Sequence, residues 1–145
     1  MTDAYIKNVE IRWSDLDPNF HLRHSVYYDW GAFIRMCFLN DHGITPAVMT
    51  QHHIGPILFR EEAVFKREIH FGDSIEIDLQ MLQCKQDMSR WTMQHHITKN
   101  RETLCSIVTI SGAWMNTQLR KLVTPPEFFI KGFNAIPKAE NFEWL

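Results

Sequence analysis

Residues 12–30 read Arg12-Trp13-Ser14-Asp15-Leu16-Asp17-Pro18-Asn19-Phe20-His21-Leu22-Arg23-His24-Ser25-Val26-Tyr27-Tyr28-Asp29-Trp30. Entering this stretch, the segment Ala4 to Trp13 places Val9, Ile11 and Trp13 on one side and Glu10 and Arg12 on the other, the two-residue period of a half-buried strand. The alternation stops at Asp15-Leu16-Asp17-Pro18-Asn19, where a fixed proline φ and short polar side chains favour a turn. From Ser25 to Asn40 the apolar residues Val26, Tyr27, Trp30, Phe33, Ile34, Cys37 and Phe38 recur three and four apart. That spacing predicts a helix, with Ser25 or His24 near its start and Gly43 just past its end. Asp29 and Arg35 are its chief polar members, so it is expected to be enclosed by other structure, with Cys37 as a small core residue.

Downstream, to about residue 123, the chain reads as strand. Ile54 to Ile69 is one long segment interrupted by Gly55-Pro56; Ile75, Ile77, Leu79 and Met81 alternate with Glu76, Asp78 and Gln80. Trp91, Met93, His95 and Ile97 alternate with Thr92, Gln94, His96 and Thr98, and Leu104 to Met115 follows a turn at Lys99 to Glu102. Gly72-Asp73 and Asp87-Met88-Ser89 supply the other turns. The tail from Pro125-Pro126 is expected to form a short helix at Glu127 to Phe133 and then fray. One strand, one long apolar helix and four strands joined by short turns predict an α+β fold, a curved antiparallel sheet wrapped around one long central helix. The open sheet edge and uncovered helix end of such a unit predict a homodimer or a homotetramer. With no repeat or Gly/Ser linker, residues 1–145 read as a single domain.

The composition narrows the function classes. At 145 residues, 45% apolar and 22% charged, with 6 Gly and 6 Pro, the chain is neither disordered, collagenous nor disulfide-stapled, and a chain of this size buries about 70% of its unfolded surface. Fifteen Lys plus Arg against seventeen Asp plus Glu give a net charge of -2 with no long block of either sign, which argues against a nucleic-acid partner. Cys37, Cys84 and Cys105 form no CxxC pair, so neither a disulfide framework nor a zinc ribbon is expected, and a reducing cytoplasm fits. The opening Met-Thr-Asp-Ala-Tyr, acidic at Asp3, lacks the pattern of a secretory signal, and no run of eighteen apolar residues predicts a membrane span. His52-His53 and His95-His96 are neighbours on strands and point to opposite faces; with no HxxxH or HExxH spacing, neither a metal site nor a cofactor is expected.

The stretch Asp15-Leu16-Asp17, Asn19, His21 and Tyr27 resembles the signature of hotdog-fold thioesterases, both the 4-hydroxybenzoyl-CoA thioesterase group and the plant acyl-carrier-protein thioesterases. In those families an Asp-x-Asp element ends the first strand, and an Asn or Gly and a His lead into the central helix; the strand order is similar over roughly residues 4 to 123. The resemblance implies that Asp17 is the catalytic carboxylate, as nucleophile or as base toward water, with Asn19 and His21 orienting the water or the carboxylate. It implies that the backbone N–H near His24 polarises the thioester carbonyl of an acyl-CoA or acyl-carrier-protein substrate. Four positions depart from the pattern: Phe20 stands where one branch has glycine, Arg23 and His24 where the other has paired asparagines, and Phe33 near a helix glutamate of some branches.

The chemistry is consistent with that implication. Thioester hydrolysis puts negative charge on the carbonyl oxygen, and the free N–H groups of a helix start are preorganised donors carrying about half a positive charge. A carboxylate seven positions upstream makes a Ser or Cys nucleophile unnecessary, and His21 adds a group that titrates near neutrality. Tyr27 and Arg60 are candidate substrate-binding residues, and Lys66, Arg67 or Arg90 candidates for nucleotide phosphates. Asp15 reads as a turn residue, and Arg60-Glu61-Glu62 reads either as a coupled ion pair within the dimer or as a contact to the substrate. Two alternatives compete: a hotdog enoyl-CoA hydratase or dehydratase, whose histidine follows its aspartate by five positions where His21 follows Asp17 by four, and an inactive acyl-CoA-binding module.

Overall fold

A computed structural model describes residues 4–145; Asp3, used in reading the leader, lies outside the described residues. The element order is β1 (Tyr5–Val9), a 3₁₀ turn (Trp13–Asp15), α1 (His24–Asp41), α2 (Pro46–Gln51), β2 (Ile54–Phe65), β3 (Ile75–Cys84), β4 (Arg90–Lys99), β5 (Thr103–Asn116), β6 (Lys121–Leu122), α3 (Glu127–Asn134) and β7 (Lys138–Trp144). All seven strands join one sheet in the order β1-β3-β4-β5-β2, with β6 on β5 and β7 on β3. The sheet curls round α1, the hotdog arrangement.

β3 and β4 alternate buried and half-buried residues almost without fault because one face packs on α1. The core that forms between them runs from Val26, Ile34 and Phe38 on the helix to Ile77, Leu79, Met93, Ile97, Val108 and Ile110 on the sheet. α1 begins at His24, and Gly43 follows its last turn at φ +77°, a left-handed conformation that glycine adopts without a Cβ clash.

Several expectations need correction. The first strand stops at Val9, and Trp13, instead of facing the core, stands on the 3₁₀ turn at 74% exposure. The helix is not enclosed all round: Ala32, Phe33 and Met36 are exposed, and Cys37 is only half-buried. Strand β2 ends at Phe65, short of Ile69, and pairs with β5 instead of its sequence neighbour β3, so the continuous meander is β3-β4-β5 and β2 forms an outer strand. The short helix α2, capped by Thr45 Oγ1 accepting from Val48 N, was not anticipated.

The tail departs furthest from expectation. The helix at Glu127 is present, but the chain then adds β7, parallel to β3 alongside residues 81–84, while β1 occupies the same edge alongside residues 75–79. Phe129 and Phe133 of α3 are buried against Trp114, with ring centroids 5.4 and 5.0 Å away, and Phe133 also meets Trp91 at 5.6 Å. Sequence periodicity does not show this because eight residues of α3 bury their apolar stripe only once the sheet exists.

Phe129→Ala is therefore expected to lower stability by about 3–5 kcal/mol, the range for a buried phenylalanine truncated to alanine. Urea unfolding followed by circular dichroism measures it, and a loss below about 1 kcal/mol, the scale of a surface substitution, contradicts the docked tail.

Candidate active site

The loop from Asp15 to Arg23 is held by its own main chain. Arg23 N donates to Asp15 O at 2.7 Å, Asp17 N to His21 O at 2.8 Å, Phe20 N to Asp17 O at 2.9 Å and Leu22 N to Ile69 O at 2.9 Å. Within this frame Asp17 Oδ1 accepts from Asn19 N at 2.9 Å and His21 N at 3.0 Å. Short carboxylates close such turns readily. Oδ2 makes no hydrogen bond among the described residues. Phe20, where one family branch has glycine, sits at φ +63° with its ring 61% exposed; the turn demands the conformation that suits glycine, and a bulky residue adopts it here.

Asp15 has a different task. Its carboxylate is 1% exposed and accepts from Arg12 N and Arg12 Nη2, both at 2.9 Å, with the Arg23 guanidinium 3.9 Å away. Burial alone raises its pKa, but the Arg12 bonds and charge outweigh that and hold the carboxyl below its ordinary 3.8. Asp15 thus anchors the loop, as its reading as a turn residue implies.

The start of α1 lies beside Asp17. Arg23 is the N-cap without a side-chain cap bond, the first turn contains no acidic residue, and the His24 and Ser25 N–H groups find no acceptor among the described residues. Helix starts ordinarily satisfy these donors with a Ser, Thr, Asp or Asn side chain. Here the helix start borders, through His24, a groove of 620 Å³ whose wall includes Asp17, His21 and Tyr27, together with Phe65, Lys66, Arg67, Glu68, His70 and Lys99. Tyr27 is 4% exposed and packs edge-on to Phe65 at 4.9 Å; burial, then the charges of Cys105, Asp17 and Glu68, push its phenol up to about 12.

Of the anticipated site residues, Asp17, His21, His24 and Tyr27 converge on this groove, and Lys66 and Arg67 join them. Asn19 takes part through its main-chain N–H, and its exposed side chain is not on the groove wall. Arg60 is elsewhere: on exposed β2 its guanidinium bonds Glu62 Oε2 of the same strand at 2.6 Å. Arg90 lies over the Phe59 ring instead. Glu68, His70 and Lys99 were missed; the sequence shows them as isolated polar residues, and they reach the loop through the bridge of residue 21 with residue 70, the bond from Leu22 N to Ile69 O and that from Lys99 Nζ to Glu68 O.

A second hollow of 170 Å³ lies further along α1, lined by Ala32, Met36, Leu39, Leu58, Met93 and other apolar residues, with Arg35 the one charged residue in its wall. Arg35 Nη1 meets His95 Nε2 at 2.8 Å, while His95 Nδ1 meets Asp78 O at 2.9 Å. The second contact requires Nδ1 to carry the proton, leaving Nε2 as the acceptor for Arg35. Burial first, and the Arg35 charge second, hold His95 down to about 3, and burial lowers Arg35 to about 10. Its neighbour His96 points the other way and bonds Asp78 Oδ2 at 3.0 Å, so the two histidines do face opposite sides of the strand.

A curled sheet on a buried helix, with an acidic turn at the helix start, defines a hotdog-fold protein of the thioesterase type. The chain belongs to the thioesterase-like superfamily, whose family model matches residues 11–133, and thioester hydrolysis is the activity class of that membership. Among proteins of curated function none matches the chain by sequence. Among solved structures, a hypothetical protein of Staphylococcus aureus in complex with CoA is similar at TM-score 0.85 and 17% identity, covering 92% of this chain and 84% of its own. A 1,4-dihydroxy-2-naphthoyl-CoA thioesterase from Synechocystis is similar at TM-score 0.81 and 12% identity, covering 91% and 96%. A DHNA-CoA thioesterase from Staphylococcus aureus gives TM-score 0.79 and 15% identity, covering 91% and 87%. No described helix is long and apolar enough to cross a membrane.

Because the folded pKa of Asp15 lies below its unfolded value of 3.8, the stability it contributes is present above that value and is lost as pH falls through the folded one. Asp15→Asn is expected to lower the melting temperature at pH 7, with the gap to wild type closing as pH falls below about 4. Thermal melts at pH 7 and pH 3 check this; a gap independent of pH removes the ionic role.

Proposed function

We propose that the chain hydrolyses an acyl-CoA thioester to a free acid and CoA, with Asp17 as the catalytic carboxylate and the N–H groups at His24 and Ser25 as donors to the thioester oxygen. One observation carries the reading: the carboxylate with a free Oδ2 and the uncapped start of α1 stand on the same groove. As the carbonyl carbon becomes tetrahedral its oxygen takes up charge, and fixed helix-end donors stabilise that charge without reorganising. Asp17 Oδ2 either attacks the carbon or takes a proton from the attacking water. His21 Nε2, on the same wall, is placed to hold that water or to protonate the departing thiolate.

A CoA thiol is favoured over a carrier protein by the cations of the groove, Lys66, Arg67 and Lys99, which suit nucleotide phosphates. The S. aureus protein in complex with CoA and the two CoA-thioesterase neighbours support the same choice. The apolar hollow beside Met36 and Leu58 is the space for an acyl tail. Phe33, Leu58, Phe59 and Val64 form exposed apolar surface on α1 and the outer strand β2, and a homodimer that continues the sheet there covers both. Three free thiols suit a reducing cytoplasm.

Asp17→Asn keeps an oxygen to accept from Asn19 N and His21 N while removing the charge. It is expected to reduce kcat for a panel of acyl-CoA thioesters by about 10²–10⁴-fold, the contribution of a positioned acid–base group. Thiol release gives the rate, and activity within a few-fold of wild type removes Asp17 from the mechanism. Loss of crotonyl-CoA absorbance without thiol release assigns a hydratase instead.

A further inference from the structure

We propose that His21, Glu68 and His70 form a binding site for a first-row divalent metal ion of the zinc class at the rim of the groove. His21 Nε2 lies 3.4 Å from Glu68 Oε2 and His70 Nε2 lies 3.7 Å from the same oxygen, with one ligand atom from each residue all within 4.8 Å of one another. Both contacts are too long for a good hydrogen bond, which falls at 2.7–3.2 Å. Bonds of about 2.0–2.2 Å to nitrogen and carboxylate oxygen set neighbouring ligand atoms of a metal tetrahedron about 3.3–3.6 Å apart; the 3.4 Å separation matches that edge, and the 3.7 Å one needs only a small rotation of the exposed Glu68 side chain.

The placement is built by the backbone. Residues 21 and 70 form an antiparallel bridge, and their rings meet edge to face at 5.0 Å. Glu68 and His70 are two positions apart, and the segment around them is tied down by Leu22 N to Ile69 O at 2.9 Å and His70 N to Asp73 Oδ2 at 2.9 Å. Three converging side chains with an open fourth position is the ligand count of zinc sites that keep a water or an anion bound, and two imidazoles with one carboxylate select zinc, cobalt or nickel over magnesium or calcium.

The other charged groups on the groove set the affinity. Lys99 Nζ rests on Glu68 O at 2.7 Å and Arg67 Nη1 on Lys66 O at 2.8 Å, so their charges stand near the cluster, with Lys66 beside them and Asp17 opposing. These cations weaken binding of a bare ion and favour an anion at the fourth position. Occupancy engages the Nε2 lone pair of His21, so the metal is expected to inhibit hydrolysis. That consequence rests on the proposed reaction; the binding does not.

Isothermal titration of the tag-free, metal-stripped chain with ZnCl₂ is expected to give one ion per chain at micromolar or tighter affinity, and MgCl₂ no binding at the same concentrations. Glu68→Gln and His70→Ala, both at exposed positions, are each expected to weaken zinc at least tenfold while circular dichroism stays unchanged. Absence of saturable binding, or an affinity that either variant changes by less than tenfold, overturns the site. Activity of the metal-free chain on acyl-CoA is measured separately, so failure of zinc binding and failure of the hydrolase reading give different results.

Discussion

The bond from Arg23 N to Asp15 O fixes the distance between the acidic turn and the first turn of α1, and the rest of the site depends on it. Asp15 anchors that bond from below, its buried carboxylate gripped by Arg12. The loop above it is short enough that Asp17 has one oxygen spent on the turn and one free, and the helix emerges with its donors uncapped. Two residues of an Asp-x-Asp motif therefore do unlike work. Asp15 stabilises a conformation, and Asp17 stands where the conformation leaves it exposed to the groove.

The same helix binds the two hollows together. At its N-terminal end His24 and Tyr27 line the charged groove; further on, Arg35 reaches His95 across Gly31, where an added Cβ would lie 3.1 Å from both side chains. The absence of a side chain at residue 31 thus lets a guanidinium and a neutral imidazole meet in the interior. Taking an uncompensated charge out of water is expensive. Here the guanidinium keeps one hydrogen bond to neutral His95 and lies in the field of Glu61.

Much of this was legible in the sequence, for a physical reason in each case. The alternation of Ile75 to Met81 and of Trp91 to Thr98 shows because one face of each strand is buried and the other is not. The start of α1 shows because its three- and four-residue apolar spacing begins at Val26, within the first turn of the helix. The gathering of Asp17, His21, His24 and Tyr27 follows, since all four lie within eleven consecutive residues. What failed to show depends on contacts between distant segments. The pairing of β2 with β5, the return of β7 to β3 and the arrival of Glu68 and His70 beside His21 have no local signature. Arg60 stands apart from the groove because an outer strand accommodates a cation in an exposed pair with Glu62.

The aromatic packing under α3 gives the molecule two distinct optical reporters. Trp91 and Trp114, 3% and 0% exposed, emit from an apolar interior beside Phe133, and neither lines the charged groove. Trp13, 74% exposed on the 3₁₀ turn with the Phe20 ring 6.1 Å away, stands in water at the base of the acidic loop. With Trp30 also buried at 7% exposure and Trp144 exposed at 45%, the blue side of the intrinsic fluorescence follows the core as a whole, and quenching of the red side follows events at the loop once Trp144 is replaced.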